Sequence, residues 1–219
     1  LARLILQDLT DTDLSNEAFP YMRAKRLNVG PVPCLALRVT FVGELGWELH
    51  CPVDFGLGLW DLLRAAGEPH GLVPGGYKAI DSLRLEKGYR VWASDVTSAD
   101  TPFEAGLGFA VRMDKEDFIG REALARAGEP VRRLACLVLD DSRTIALGSE
   151  PVRVDEIAVG RVTSGGYGYT VNRSIAYAYL PTEDVKPGRR VEVGVFGRLV
   201  EAEVAPEPLF DPENSRVRA

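Results

Sequence analysis

The chain has 219 residues, 46% of them hydrophobic and 26% charged, enough for an ordinary globular core without disulfide staples. A net charge of −6 argues against a nucleic-acid partner, because a phosphate backbone calls for a basic patch. No apolar run approaches the roughly 18 residues a membrane span needs. Cys34, Cys51 and Cys136 are few, odd in number and far apart in sequence; they suggest neither a metal nor a redox pair and suit a reducing, cytoplasmic setting.

The first residues, Leu-Ala-Arg-Leu-Ile-Leu, lack the apolar core and cleavage pattern of a signal peptide and begin without Met. The expectation is a chain cut from something longer. Residues 1–9 read as a helix end with Leu4, Ile5 and Leu9 on one side. Residues 10–15 are rich in turn and cap types. Pro31 and Pro33 keep the run-in to the next element extended.

Residues 38–51 are the segment around which the chain is organised. Leu35, Leu37, Val39 and Phe41 alternate with Ala36, Arg38, Thr40 and Val42, the period of a strand. Gly43 and Gly46 bracket Glu44 and Leu45, which predicts a tight turn. Trp47, Leu49 and Cys51 then alternate with Glu48 and His50. If Trp47 and Leu49 face a core, Glu48 and His50 face away from it. A carboxylate there is either a solvated strand residue or a hook for a ligand.

Downstream, Asp54 offers an N-cap, and Phe55, Leu59, Leu62, Leu63 and Ala66 fall at helical spacing with Gly67 as a terminator. A second helix is predicted over 77–87, ended by Gly88, then a short strand over 89–92. A short helix is predicted over 117–127, with Glu122 early and Arg126 late. After Gly128-Glu129-Pro130 the pattern changes to short alternating runs at 134–139, 156–163, 175–180, 191–196 and 199–204. Gly165-Gly166, Pro181 and Pro187-Gly188 separate them. The fold class expected is α+β: an α/β part over 1–129, a small all-β barrel over 130–205 and a surface tail over 206–219.

Freestanding chemistry is sparse. There is no dinucleotide fingerprint and no P-loop. His50 and Cys51 cannot act as a catalytic pair, because adjacent strand residues point to opposite faces. No cluster suggests a metal. The run Gly165 to Tyr169 reads as a ligand loop or as a flexible turn with packing tyrosines.

Five ordered segments, VGELGWELHCP, AIDSLRLEKGYRVWASD, TPFEAGLGF, FIGREAL and GRVTSGGYGYTVNRSIAYAYLP, resemble the aminomethyltransferase (glycine cleavage T-protein) family over nearly the whole chain. They look most like its branch fused to FAD-dependent dimethylglycine and sarcosine dehydrogenases. The resemblance implies ferredoxin-like α/β modules followed by a distorted β-barrel. It also implies a tetrahydrofolate site, where a one-carbon unit from an amine-derived iminium becomes 5,10-methylenetetrahydrofolate.

In this family the second glutamate of a G-E-x-G-x-E motif hooks the pterin, and that residue is Glu48. Phe41 stands where the family often has tyrosine, and Tyr89 is in position to stack or hydrogen-bond near the pterin or to serve as a core tyrosine. Glu44, in the turn, reads as structural or as a secondary contact. Ile80 replaces a folate-contacting arginine and Ser215 a tyrosine, with Phe210 the nearest aromatic; both departures favour the dehydrogenase-fused branch. Asp81 and Arg84 are expected to fix their helix against the sheet, with an intrahelical pair between them as the alternative.

The family's catalytic aspartate belongs to a segment preceding Leu1, and none of Asp11, Asp13, Asp95 or Asp100 matches it. FAD would belong to a domain further upstream. The parent is therefore expected to be an N-methylamine-oxidising enzyme or a free-standing T-protein relative, and this region alone inactive. A non-enzymatic folate-binding or interaction module is the alternative. Folate and an amine substrate are the expected small-molecule partners. Self-association is expected from a surface left bare by the missing module.

Overall fold

The computed structural model describes residues 1–219. Two compact units make it up: Leu1–Ile80 with Asp211–Ala219, and Asp81–Phe210.

The first unit is a three-stranded antiparallel sheet with two helices. Helix α1 spans Ala2–Gln7, strands β1 Ala24–Val29, β2 Val32–Leu37 and β3 Glu48–His50, and helix α2 Gly56–Gly67. The sheet order is β1-β2-β3, so β3 is an edge. Strands β1 and β2 form a tight hairpin pairing Val29 with Val32, and Gly30 supplies the positive φ of 54° that the turn requires. One face of the sheet is apolar. Leu27, Val29, Val32, Cys34 and Ala36 are buried against Leu6, Leu14, Phe19 and Leu59, with Trp47, Leu49 and Cys51 packed at the margin.

The organising segment folds differently from its expected form in two respects. The first strand lies upstream, so Pro33 sits inside β2 opposite Asn28, and residues 38–47 form a long connection instead of a tight turn. The phase is also inverted. Val32, Cys34 and Ala36 point inward, whereas Leu35 is 43% exposed. All four apolar residues of the alternating run, Leu35, Leu37, Val39 and Phe41, are on the outward phase or in the connection, and the small Cys34 and Ala36 fill the inner face against Leu6 and Leu59.

In α2 only Leu59 and Gly67 are fully buried. Gly67 stays inside the helix, where a Cβ would collide with Leu72. The left-handed terminator is Gly71 at φ 74°, and Asp54 makes no capping hydrogen bond. Among the last residues, Val217 is 1% exposed within this unit.

The division between the units falls within helix α3, Tyr77–Lys87, whose bounds match expectation and which Gly88 ends at φ 71°. Residues 89–92 form no strand; Trp92 makes only an isolated bridge to Val96. Helix α4 is confined to Arg121–Arg126.

The rest of the second unit is a closed antiparallel barrel. Its strands are β4 Arg132–Leu139, β5 Pro151–Val154, β6 Ile157–Gly168, β7 Arg173–Pro181, β8 Arg190–Val195 and β9 Arg198–Ala205. They close in the order β4-β7-β6-β5-β8-β9, with β9 returning to β4. Closure removes unpaired edges. Leu137, Leu139, Val152, Val162, Ala176, Ala178, Leu180, Val193 and Val204 fill the interior.

The outer faces of β4 and β7 are covered as well, by a cluster that joins Leu85 of α3 to Leu134, Cys136, Ile175, Tyr177 and Tyr179. That is why Ser174 to Leu180 is buried without alternation. Gly165 and Gly166 do not form a turn. They sit inside β6, paired with Ala176 and Ile175, where a Cβ on Gly165 would collide with the Ala146 carbonyl.

Candidate functional site

The outer face of the first unit's sheet gathers the polar candidates. Register sets Arg26 opposite Leu35 and Leu35 opposite His50, while Leu37 is opposite Glu48. Arg26, Asn28, Pro33, Leu35, Glu48 and His50 are all exposed on that face, as alternation requires once the neighbours face the core. Arg26, Asn28, Pro33, Leu35 and His50 border an open concavity of about 690 Å³, together with Thr12 and Pro52.

Glu48 is the half-exposed carboxylate of this face. Its side chain keeps 51% of its surface, and its nearest polar neighbour is His50, whose Nε2 lies 3.5 Å from Oε2. Glu44, the other acid of the motif, is engaged: Arg216 Nη1 donates to its Oε1 at 3.1 Å. The same motif thus holds one acid tied down and one open. A carboxylate exposed in this way can accept two parallel N–H bonds.

Arg38 was not singled out from the sequence as a residue of this region, although an arginine in the phase of an inward-facing run is a readable signal. It is 1% exposed. Its Nη1 donates to the Phe19 carbonyl at 2.7 Å, its Nη2 to the Ala219 carbonyl at 3.1 Å, and its guanidinium lies 5.8 Å from the Trp47 ring centroid. Burial, and then the nearby Arg3, lower its pKa. Trp47 also meets Phe19 edge-on at 6.2 Å. Arg38 and Phe19 together fix the residue just before Glu48. Phe41 lies in the 38–47 connection, 39% exposed.

A second cavity, about 320 Å³, opens on the core side, lined by Ile5, Trp47, Leu49, Trp60, Leu63 and Leu72 among others. No acid lines it.

Tyr89 belongs to the second unit. It is half-buried, its N–H donates to the Arg84 carbonyl at 2.9 Å, and its own carbonyl accepts from Arg84 Nη1 at 3.4 Å. Arg84 chiefly serves Asp95, at 2.7 Å, with Asp81 at 3.6 Å on its other side, so the intrahelical pair exists as a secondary contact. Asp95 is committed to this internal network, and Asp100 accepts from Arg132 at 2.8 Å and from Thr97. Glu86, fully buried, accepts from the Thr170 amide at 2.6 Å. No three His, Cys, Asp or Glu side chains converge as a metal would require, and no helix is long and apolar enough to cross a membrane.

Two family models match the chain: the GCVT N-terminal domain over residues 1–115 and the glycine cleavage T-protein C-terminal barrel domain over residues 132–211. Dimethylglycine dehydrogenase of Mus musculus is 37% identical over 99% of this chain and 25% of its own length. Sarcosine dehydrogenase of the same organism is 41% identical over the same shares. An aminomethyltransferase of Symbiobacterium thermophilum is 37% identical over 98% of the chain and 58% of its own length. The chain thus spans about a quarter of the dehydrogenases and somewhat over half of the aminomethyltransferase. The crystal structure of glycine cleavage system aminomethyltransferase T from Bartonella henselae superposes with a TM-score of 0.82, at 26% identity, over 94% of this chain and 56% of that one. The chain belongs to the glycine cleavage T-protein family, as an aminomethyltransferase-family domain related to the dimethylglycine and sarcosine dehydrogenases.

Proposed function

We propose that this chain is the folate-binding part of a one-carbon-transferring enzyme, with Glu48 as the hook for the pterin of tetrahydrofolate. The observation that carries the reading is the contrast within one motif: Glu44 is held by Arg216 at 3.1 Å, while Glu48 stands half-exposed on an edge strand. A pterin presents a 2-amino group and a ring N–H side by side, and a carboxylate accepts both. The acceptor oxygens of Glu48 therefore fit the donors of the group. Phe41 is proposed to offer ring surface to it. Tetrahydrofolate, when bound, supplies the nitrogen nucleophiles that capture an iminium carbon as 5,10-methylenetetrahydrofolate.

General acid–base work on that nitrogen needs a group within hydrogen-bond reach. Two of the chain's buried aspartates, Asp95 and Asp100, are committed elsewhere. That supports a division of labour in which this region binds folate and another segment of the parent activates it. The parent is proposed to be a dimethylglycine- or sarcosine-type dehydrogenase, its FAD held by a different domain.

The test is a titration with 5-formyltetrahydrofolate followed by tryptophan fluorescence, since Trp47 adjoins Glu48. Saturable binding that weakens about tenfold or more in Glu48→Gln, some 1.4 kcal/mol, supports the hook. Binding of equal strength in both proteins overturns it. So does an absence of binding by both this chain and the full-length parent.

A further inference from the structure

Cys34 and Cys51 are 17 positions apart in sequence, yet the sheet sets them side by side. Strand β2 pairs with β3 with Leu35 opposite His50, Ala36 opposite Leu49 and Leu37 opposite Glu48. One more step in that register puts Cys34 opposite Cys51, the residue that follows β3. Both lie on the inward phase: Cys34 is buried in the apolar cluster and Cys51 packs against its margin, as do Trp47 and Leu49 in the same strand phase. Both are free thiols.

Directly opposed residues of an antiparallel pair have Cα atoms about 4.5–5.5 Å apart, inside the roughly 4.4–6.8 Å range that a disulfide spans. Their Cβ atoms, at about 4.5–5.5 Å, must close by up to about 1 Å. A three-residue edge strand bonded on one side only can make that shift.

We propose that Cys34 and Cys51 are an oxidative modification site: a cross-strand dithiol that a hydroperoxide closes to a disulfide. The two thiols differ in access. Cys51 is partly exposed, and Cys34 is 5% exposed. Burial, and then the neighbouring Cys51, raise the pKa of Cys34. Cys51 is therefore the sulfur oxidised first. Its thiolate takes the terminal oxygen of the hydroperoxide, giving a sulfenic acid and releasing the alcohol, or water when the oxidant is hydrogen peroxide. The Cys34 sulfur then attacks the sulfenic sulfur; the S–O bond breaks, the S–S bond forms and water leaves with the Cys34 proton. Two thiols are oxidised and one peroxide is reduced.

The closed ring would enclose residues 34–51, which contain Phe41, Glu44 and Glu48. Oxidation would thus tie the base of the connection that carries the open carboxylate. The inference stands on register and burial and is independent of what Glu48 binds.

The experiment uses the whole chain, reduced, freed of reductant and treated with hydrogen peroxide, then denatured for thiol counting and peptide mapping. The expected result is the joint loss of two thiols of the three, a Cys34–Cys51 peptide lighter by two hydrogens, and recovery with dithiothreitol. The oxidised chain should unfold at higher denaturant than the reduced one. Cys51→Ser should keep Cys34 and Cys136 reduced at the same dose, and Cys34→Ala should leave Cys51 as a sulfenic acid that dimedone traps. Three thiols persisting, Cys51 over-oxidised beside an intact Cys34, or a disulfide formed only between two molecules would each overturn the proposal.

Discussion

Arg84 Nη1 donates to Asp95 Oδ2 at 2.7 Å, with the guanidinium side chain 6% and the carboxylate 1% exposed. The pair is the centre of a network. Asp95 also accepts from Thr163 Oγ1 at 2.7 Å, Ser164 Oγ at 2.6 Å and the Val91 amide at 3.0 Å, and its carbonyl takes the Tyr179 hydroxyl at 3.0 Å. Helix α3, the turn after it and strand β6 therefore meet on one carboxylate, and strand β7 on the carbonyl of the same residue. Because every Asp95 oxygen is used, the pair holds a unique arrangement in a region that apolar packing alone would leave adjustable.

Removing one member strands the other. Asp95→Ala leaves a buried guanidinium without its counter-charge, and the cost expected is about 3–5 kcal/mol. Urea denaturation checks it. A loss under about 1 kcal/mol would mean that water reaches Arg84 and the network is not what fixes α3 to the barrel.

The surface pair behaves otherwise. Glu44 and Arg216 keep 43% and 59% of their side-chain surfaces, so solvent screens them. Glu44→Gln should cost no more than about 1 kcal/mol. In the folate titration it should leave the dissociation constant within about twofold, whereas Glu48→Gln weakens it about tenfold. If the two substitutions act alike, the assignment of the hook to the second acid fails.

Glu104 gives stability a pH dependence with a defined sign. Burial by itself would raise its pKa; the Thr101 amide, the Arg132 guanidinium at 3.0 Å and the Thr101 hydroxyl outweigh it, and the net shift is downward. A depressed carboxyl pKa in the folded state stabilises above the unfolded value, about 4.3, and the gain is lost as pH falls through the folded value. Glu104→Gln should therefore be less stable than the parent sequence near neutral pH, with the gap closing below about pH 4. Denaturation series at several pH values measure it. A gap that stays constant down to about pH 3 would show that Glu104 contributes through shape and hydrogen bonding alone.

Cys136 should behave as an inert thiol. Burial is the largest influence on it, and its pKa is pushed up to about 12. It is 1% exposed on the outer face of β4, where α3 covers it. Reaction with a thiol reagent at neutral pH should be limited by unfolding and should speed up sharply in denaturant. Rapid labelling of the folded chain would place the α3 contact open in solution.

Much of this was legible in the residues. Helix α3 could be bounded because its spacing is regular and Gly88 ends it with a left-handed residue. Five barrel strands were readable from short alternating runs. Glu48 and His50 were correctly set apart from Trp47 and Leu49, because a strand alternates whatever its neighbours do. Strand β5 was missed: only Pro151 to Val154, it has too few residues to show a period. Strand β1 was hidden by Arg26 and Asn28, which face outward, and by Lys25, which shares the phase of Leu27 and Val29 with its ammonium 5.4 Å from the Phe19 ring centroid. The inverted phase of β2 arose because Leu35 is bulkier than Cys34 or Ala36, and side-chain size does not say which face a sheet buries. Arg38 ran against the expectation that a charged residue marks the wet face. Its cost is met by two carbonyls and an indole that lie far off in sequence. The opposition of Cys34 and Cys51 could not be read at all until the register was known.

Glycines separate the two kinds of local rule most sharply. Gly165 and Gly58 both lie inside regular elements, and neither needs a positive φ. In β6 the Gly165 backbone approaches the Ala146 carbonyl so closely that a Cβ has no place, and the Ile175 carbonyl oxygen would stand 3.2 Å away on another side. The obstructing atoms are backbone atoms of a closed barrel, which cannot swing aside as a flexible side chain can. Gly165→Ala should therefore cost about 1–3 kcal/mol or more by overpacking. Gly58 in α2 has nothing within 4 Å of a built Cβ. There alanine only removes backbone freedom from the unfolded chain, and Gly58→Ala should stabilise by about 0.5–1 kcal/mol. Thermal and urea unfolding of both variants gives the comparison. Opposite signs are expected; a harmless Gly165→Ala would mean that β6 can shift away from residue 146, and the run from Gly165 to Gly168 would then be a pliable segment of the barrel wall.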